Sequence, residues 1–317
     1  MKHIVIAYHD KCNDGYCSAA VAVKHLTKVG TRLHLLPAVY GHSLGNTIFD
    51  LREDLTKSGE DLSKVFILDF CTNELETLAL SDLGIPIVII DHHKSAKPIM
   101  DKEYENINTY YSEDVSGAML TWEYFNALNP APEVVANVSD RDLFKFELLG
   151  TRAFHAGVLA NYSRDDIGFW HSLLEETTEA ERKYHAICLV GWDILEYQET
   201  LFKTMLEFNG KIVKPVIKSA TVDSIGGINI KVINHIGMYH GFCDPTLASD
   251  FSAYIKQELG VHLVLLYRID PDSDGYIYSV RSSGSAIHVT ARDIAEYFGG
   301  GGHDQASGFN SATLITD

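Results

Sequence analysis

Asp91, His92 and His93 stand in a row at the end of the apolar run Val88-Ile89-Ile90. One carboxylate beside two imidazoles is a donor set for a divalent cation, and core packing asks for nothing of the kind. The same pattern recurs along the chain. Ile4-Val5-Ile6-Ala7-Tyr8 leads into His9 and then Asp14-Gly15, Val65-Phe66-Ile67-Leu68 leads into Asp69, and the segment from Val134 to Ser139 leads into Asp140-Arg141-Asp142. Imidazole with several carboxylates suits Mn²⁺, Fe²⁺, Zn²⁺ or Mg²⁺, and a shared aspartate can bridge two such ions.

Short apolar runs that end in polar residues are expected of parallel strands, whose carboxyl ends form the ligand crevice of an α/β sheet. Up to about residue 145 such strands alternate with amphipathic helices. A helix is expected from Ser18 to Leu26, a strand near Leu33 to Pro37, a helix from about Leu75 to Leu83 and a strand from Ile85 to Ile90, with Pro86 tolerated at the strand's start. Ser116-Gly117-Ala118 should open a helix and serve packing, and Arg141 with Asp142 reads as a structural pair. Residues from about 165 to 207 carry apolar positions at helical spacing, Trp170, Leu173, Leu174, Ile187, Leu189 and Trp192 among them. After Asn209-Gly210 strands return at Ile212 to Ile217, Ile228 to Ile233, Leu263 to Tyr267 and Tyr276 to Val280. Helices are expected near Leu247 to Leu259 and Ala291 to Tyr297. The expectation is an α/β protein of two domains. A parallel-sheet metal-binding domain would occupy 1–190, a helical linker 191–210 and a smaller α/β substrate-binding domain 211–317.

The 317 residues carry a formal charge of −17, from 43 acidic and 26 basic residues. That balance argues against a general electrostatic grip on duplex nucleic acid, whose phosphates must be neutralised by Lys and Arg. Small phosphorylated ligands remain open, because bound cations and a few local basic groups can supply the positive field. No apolar run approaches the ~20 residues that span a bilayer, and Met1 to Ile6 reads as a strand rather than a signal peptide. A cytoplasmic location is expected, with no membrane partner. The five cysteines, Cys12, Cys17, Cys71, Cys188 and Cys243, lack zinc-finger spacing and fit free thiols. Cys12, Cys17 and Cys71, near the donor residues, read as small apolar side chains.

Taken together, His9, Asp14-Gly15, Asp69, Asp91-His92-His93 and Asp140 resemble the DHH phosphoesterase superfamily in residue type and order. Phe298-Gly299-Gly300-Gly301-Gly302-His303, continuing to Ala306-Ser307-Gly308-Phe309, resembles the glycine-rich motif of that family's associated C-terminal domain. The resemblance implies a metal-dependent phosphoesterase with its site in the cleft between two domains. His9, Asp14 and Asp69 would hold one ion and Asp69, His92 and Asp140 the second, with Asp69 as bridge. The ions would be Mn²⁺, with Mg²⁺ or another divalent metal possible. His93 would contact the substrate phosphate, Asp91 would orient a neighbouring imidazole, and Arg281, Gly300, Gly301, Gly302 and His303 would hold phosphate in the second domain.

One departure is visible. Where many members carry a second carboxylate two residues before or after the aspartate preceding Gly15, this chain has Cys12 and Tyr16, and Asp10 is out of register. The function expected is cleavage of phosphodiester bonds in short nucleotides or single-stranded oligonucleotides, in the manner of a 3′–5′ exonuclease. The alternatives are a phosphatase of adenosine bisphosphate, a cyclic dinucleotide phosphodiesterase, an exopolyphosphatase, or a nucleotide-binding sensor with a degenerate metal site.

Overall fold

The computed structural model describes residues 1–127, 129–161, 166–208, 236–238, 247–260, 263–270, 273–283 and 290–313. Cys243 and the strands expected from Ile212 to Ile217 and Ile228 to Ile233 lie outside them. The chain divides into two compact units, Met1–Glu196 and Tyr197–Asp317.

In the first unit, strands and helices alternate as β1 Lys2–His9, α1 Asn13–Leu26, β2 Thr31–Ala38, α2 Leu44–Lys57, β3 Leu62–Leu68, α3 Glu74–Ser81, β4 Ile87–Asp91, α4 Lys97–Met100 and β5 Ile107–Tyr111. Helices α5 Gly117–Asn126, α6 Glu133–Asp142, α7 Thr151–Asn161 and α8 Ile167–Leu173 follow, and α9 Thr178–Phe208 begins in this unit and ends in the second. The five strands pair in parallel in the order β2-β1-β3-β4-β5. Both faces of the sheet are covered, which is why its central strands read as continuous apolar runs rather than alternating ones. One face packs Ile6, Phe66, Val88 and Ile90 against helices that include α1, α5 and α6. The other packs Val5, Val65, Ile67 and Ile89 against side chains from α2, α3 and α4. Helix α1 lies close because Ser18, Ala19, Ala20 and Ala22 are small and wholly buried.

The strand order reverses between β1 and β3, since β2 lies on one side of β1 and β3 on the other. Connections leave opposite faces there and open a crevice beyond the carboxyl ends of those two strands. His9 ends β1 and Asp69 follows β3 directly.

One element differs in type from expectation. Val134 to Ser139 lies in helix α6, although its β-branched residues and its polar end read as a fourth strand. The spacing of Val134, Val135 and Val138, all buried, fits one helical face against the core. Helix α1 begins at Asn13 rather than Ser18, so Asp14 and Gly15 occupy a helical first turn.

The second unit contains strands β6 Ile236–Met238, β7 Leu263–Ile269, β8 Tyr276–Ser282, β9 Gly301–Gly302 and β10 Ala306–Ser311, in the order β6-β7-β8-β10-β9. Only the β6–β7 pair is parallel. Helices α10 Ala248–Leu259 and α11 Ala291–Tyr297 pack on this sheet. Among the described residues of the whole chain, no helix is long and apolar enough to cross a membrane.

Candidate metal centre

Asp69 is the centre of the site. It is wholly buried, and its backbone sits at φ 54°, a left-handed conformation that costs an aspartate about 1–3 kcal/mol. Its amide still donates to Ile90 O at 2.8 Å, so β3 is tied to β4 up to the residue where the chain turns. The turn carries the carboxylate beneath the imidazoles of two neighbouring strands. His9 Nδ1 lies 3.5 Å from Asp69 Oδ2, and His92 Nε2 lies 3.2 Å from Asp69 Oδ1.

The rest of the Asp91-His92-His93 run divides its tasks. Asp91 is buried at the end of β4, and its Oδ1 accepts from the His92 amide at 2.7 Å, the His93 amide at 3.1 Å and His93 Nδ1 at 2.7 Å. This fixes the His93 ring and leaves its Nε2 as the nitrogen able to meet a ligand. The Asp91 contact raises the His93 pKa to about 9.

Asp14 is held by the start of α5. Ser116 Oγ and the Ala118 amide donate to Asp14 Oδ1 at 2.7 and 2.9 Å, and the Gly117 amide donates to Oδ2 at 2.7 Å. The Ser116-Gly117-Ala118 turn thus belongs to the site's support, beyond the packing expected of it. Two glycines make the approach possible. A Cβ on Gly15 would fall 2.0 Å from His9 O, and one on Gly117 would fall 2.7 Å from Asp69 Cβ and 3.0 Å from Asp14 Oδ2.

Asp140 and Asp142 are not placed as expected. The Asp140 carboxylate accepts from the Glu147 amide at 2.9 Å, the Leu148 amide at 3.2 Å and Thr151 Oγ1. It ties α6 to the turn before α7 and belongs to none of the donor clusters among the described residues. Asp142 Oδ2 instead lies 3.3 Å from His92 Nε2. Two residues along a helix are about 200° apart around its axis, so the two carboxylates face different ways.

Three groups of donor atoms lie within 4.8 Å of one another: Asp69 with Asp91, His92 and His93; His9 with Cys12 and Asp69; and Asp14 with His92 and Asp142. His9, Asp14, Asp69 and His92 are therefore brought together, with Asp69 and His92 shared between groups. Asp10 accepts a 2.6 Å hydrogen bond from Tyr16, which engages both residues away from these donors.

The residues fit divalent cations on two grounds. The buried atoms without a hydrogen-bond partner include Asp69 Oδ1 and Oδ2, His9 Nδ1, His92 Nε2 and Asp91 Oδ2. Leaving so many polar atoms bare is costly unless a ligand completes them. Electrostatics agree. Burial, then repulsion from Asp69 and Asp142, raises the Asp14 pKa. Burial and Asp69 likewise raise that of Asp142. Burial would also raise Asp69, but contacts with His9 and His92 and the charge of His93 hold it below the usual carboxylate range. Burial opposes protonation of His92, yet Asp69 and Asp142 leave its pKa raised. Raised carboxylate and imidazole pKa values together mark a centre whose negative charge lacks a cationic partner.

Beside the centre opens a cavity of about 270 Å³, whose lining includes Lys11, Cys12, Asp14, Arg141, Asp142 and Phe144. Arg141 stacks on Phe144, 4.8 Å from the ring centroid. On another side Tyr40 packs edge-on to His9 at 5.4 Å and leans on Phe70 at 4.5 Å. Tyr40, Phe70, Lys11 and Phe144 carry no motif, and nothing in their local sequence marks them.

In the second unit, Arg281 donates through Nε to Ser249 Oγ at 3.3 Å and through Nη1 to Val280 O at 3.0 Å. The glycine run closes on its own unit. The Gly299 and Gly300 amides donate to Glu296 O and Ala295 O, and the His303 amide donates to Ala306 O. A Cβ on Gly300 would fall 2.1 Å from Gly308 O, and one on Gly302, at φ 140°, 2.7 Å from Ser307 Cα. These glycines serve the tight return into β10. A Cβ on Gly301 would meet nothing within 4 Å.

Among curated proteins, the uncharacterized protein R106 of Acanthamoeba polyphaga mimivirus is 24% identical over 314 residues. The match takes in 96% of this chain but only 66% of that protein, so the chain spans a little under two thirds of its relative's length. Among solved structures, an uncharacterized protein from Helicobacter pylori G27 has a TM-score of 0.44 at 14% identity, covering 100% of this chain and 95% of its own. The pGpG-specific phosphodiesterase PggH of Vibrio cholerae scores 0.43 at 12% identity, covering 98% and 93%. RecJ of Thermus thermophilus, in complex with Mn²⁺, scores 0.41 at 16% identity, covering 97% and 49%. Scores this low leave these structures too distant to inform the site. Residues 3–151 match the DHH family, N-terminal domain. That matched stretch contains His9, Asp14, Asp69, the Asp91-His92-His93 run and Asp142, so over residues 3–151 the chain is similar to the DHH family N-terminal domain.

Proposed function

We propose that the protein is a divalent-metal-dependent phosphohydrolase that cleaves phosphodiester bonds in short nucleotides or single-stranded oligonucleotides. The observation that carries this reading is Asp69, a wholly buried carboxylate whose two oxygens have no hydrogen-bond partner and face His9 on one side and His92 on the other. His9, Asp69, Asp14, His92 and Asp142 would hold the cations, with Mn²⁺ the first candidate among oxygen-preferring ions. Bound cations would supply an activated water and neutralise charge building on the phosphoryl group.

The protein's own residues supply the rest. Asp14, Asp69, Asp91 and Asp142 would repel a phosphate in the absence of cations, so substrate entry depends on metal loading. His93, aligned by Asp91, offers Nε2 to a phosphoryl oxygen, and its raised pKa keeps it protonated as a donor at neutral pH. The cavity bearing Lys11, Arg141 and Phe144 has the charge and the aromatic surface for a phosphate and a base. In the second unit Arg281, the open position at Gly301 and His303 are the groups we assign to a further phosphate. Phosphatase action on adenosine bisphosphate, hydrolysis of cyclic dinucleotides and exopolyphosphatase action share this chemistry and differ only in what flanks the phosphate.

A sensor with a degenerate site would follow if Tyr16 and Cys12 had emptied the centre of donors. Asp142 restores a carboxylate and weighs against it. The deciding experiment loads metal-free protein with Mn²⁺, Mg²⁺, Zn²⁺ or Co²⁺ and follows products from dinucleotides, longer single strands, cyclic dinucleotides, adenosine bisphosphate and polyphosphate. Release of nucleotide from short phosphodiesters only when metal is present supports the reading. Absence of hydrolysis across the panel, with metal bound, would favour the sensor.

A further inference from the structure

We infer that Cys12 is a metal ligand, and that its sulfur gives one of the two cation positions a preference for a thiophilic ion such as Zn²⁺ or Co²⁺ over Mn²⁺ or Mg²⁺. The inference rests on the reading of the centre as a divalent-metal site. Three observations carry it. The Cys12 sulfur, a His9 ring nitrogen and an Asp69 carboxylate oxygen lie within 4.8 Å of one another. Asp69 in that group is wholly buried with both oxygens bare, so the cluster contains an unpartnered donor of its own that points to a ligand.

The second observation is what the thiol does not do. Cys12 stands at the N-cap of α1 with extended backbone (φ −125°, ψ 130°) and makes no side-chain cap hydrogen bond. Ser, Thr, Asp or Asn would satisfy an amide there, so helix initiation gives no reason for a thiol. Third, among the described residues no other side chain completes the group. Asp10 is engaged by Tyr16, Asp14 by Ser116, Gly117 and Ala118, and Asp142 clusters with His92. His9 and Asp69 therefore have Cys12 as their third donor. A nitrogen, an oxygen and a sulfur with room for solvent is a borderline-soft set, suited to Zn²⁺ or Co²⁺, whereas oxygen-rich sets suit Mn²⁺ and Mg²⁺. Cys12 also lines the cavity beside the centre, which gives an ion a route in. On binding, a metal–sulfur bond forms and the S–H proton leaves to solvent.

The test titrates Co²⁺ into chelator-treated full-length protein and reads the absorption spectrum. Thiolate-to-cobalt charge transfer in the near ultraviolet is expected in the wild type. It should be lost in Cys12→Ser and Cys12→Asp and retained in Cys17→Ala and Cys71→Ala, the two neighbouring thiols. Cys12→Asp should also lower the Zn²⁺-over-Mn²⁺ affinity ratio at least about tenfold, a loss seen even when an outer-shell partner of a ligand is removed. Visible cobalt bands without charge transfer in the wild type would overturn the inference while leaving the metal centre standing. Charge transfer that disappears in Cys71→Ala or Cys17→Ala would assign the sulfur elsewhere and overturn it too, even if the Cys12 variants fail to fold. Failure of Co²⁺, Zn²⁺ and Mn²⁺ alike to bind would overturn the metal reading itself.

Discussion

Gly117 and Asp69 are packed so closely that a Cβ built on the glycine falls 2.7 Å from the aspartate's Cβ and 2.8 Å from its Oδ1. The start of α5 is thus set against the buried carboxylate as tightly as backbone allows, while its amides hold Asp14. Gly117→Ala should displace Asp69 relative to Asp14, at a stability cost of about 1–3 kcal/mol. Metal affinity should fall about 10- to 100-fold, as when a supporting residue of a ligand is lost. Calorimetric metal titration checks this, and unchanged affinity in a folded variant would mean that the contact is relieved without moving the centre.

The placement of Asp140 and Asp142 on α6 makes a paired prediction. Asp142→Ala should lower metal occupancy with little change in stability, since its partner is the donor atom of His92. Asp140→Ala should do the reverse, leaving the Glu147 and Leu148 amides and the Thr151 hydroxyl unpaired, at about 1–3 kcal/mol each if they stay buried. Denaturant melts and metal analysis of both variants separate the outcomes. Equal metal loss in both would return Asp140 to the centre.

Removing Asp69 should abolish hydrolysis and metal retention together. His92→Ala should behave the same way. His93→Ala should keep metal and lose turnover, because its Nδ1 is bound to Asp91 and its remaining nitrogen is the one offered to substrate. Metal content measured beside the rate decides it, and equal metal loss from both histidine variants would show that the division of roles is wrong.

The metal-free protein should lose stability as pH rises from about 6.5 to 9. His93 is raised from an ordinary value near 6.5 to about 9 by Asp91, so its contribution is complete below 6.5 and is lost as the folded group deprotonates near 9. Asp14 and Asp142, raised by burial and by repulsion from Asp69, act in the same direction once pH exceeds the ordinary carboxylate range. Divalent cations compete with these protons, so the melting-temperature gain on adding metal should grow over the same interval. His93→Gln in chelator should flatten the metal-free slope. An unchanged slope would assign it to other groups.

The glycine run offers a comparison within four residues. Gly300→Val should destabilise the second unit, because its Cβ would strike Gly308 O, whereas Gly301→Val has open space and ordinary backbone. If Gly301 faces a phosphate, its valine variant should bind substrate more weakly at unchanged melting temperature and metal content. Unaltered affinity would make the run a turn and nothing more.

Much of this was legible in the chain. Ile4 to Tyr8, Val65 to Leu68 and Val88 to Ile90 announced buried parallel strands because a sheet covered on both faces requires apolar side chains at every position, and their polar ends announced His9, Asp69 and Asp91-His92-His93. Strand periodicity is local, and so is the donor chemistry of a residue at a strand's end. What the sequence by itself could not determine depended on direction and on distant neighbours. Reading Val134 to Ser139 as a strand put Asp140 and Asp142 on one face, and the resemblance then named Asp140 as the ligand, with Asp142 left to pair with Arg141. As a helix, α6 sends them to different sides, and Asp142 reaches His92, a residue 50 positions earlier. Cys12 read as a small apolar side chain because nothing adjacent marks it as a donor. Only the parallel pairing of β1 with β3 at the reversal of strand order brings its sulfur to the bare carboxylate of Asp69. Gly117 and Ser116 looked like an ordinary helix start for the same reason: their partner is Asp14, about 100 residues away, and long-range proximity is a property of the packed sheet.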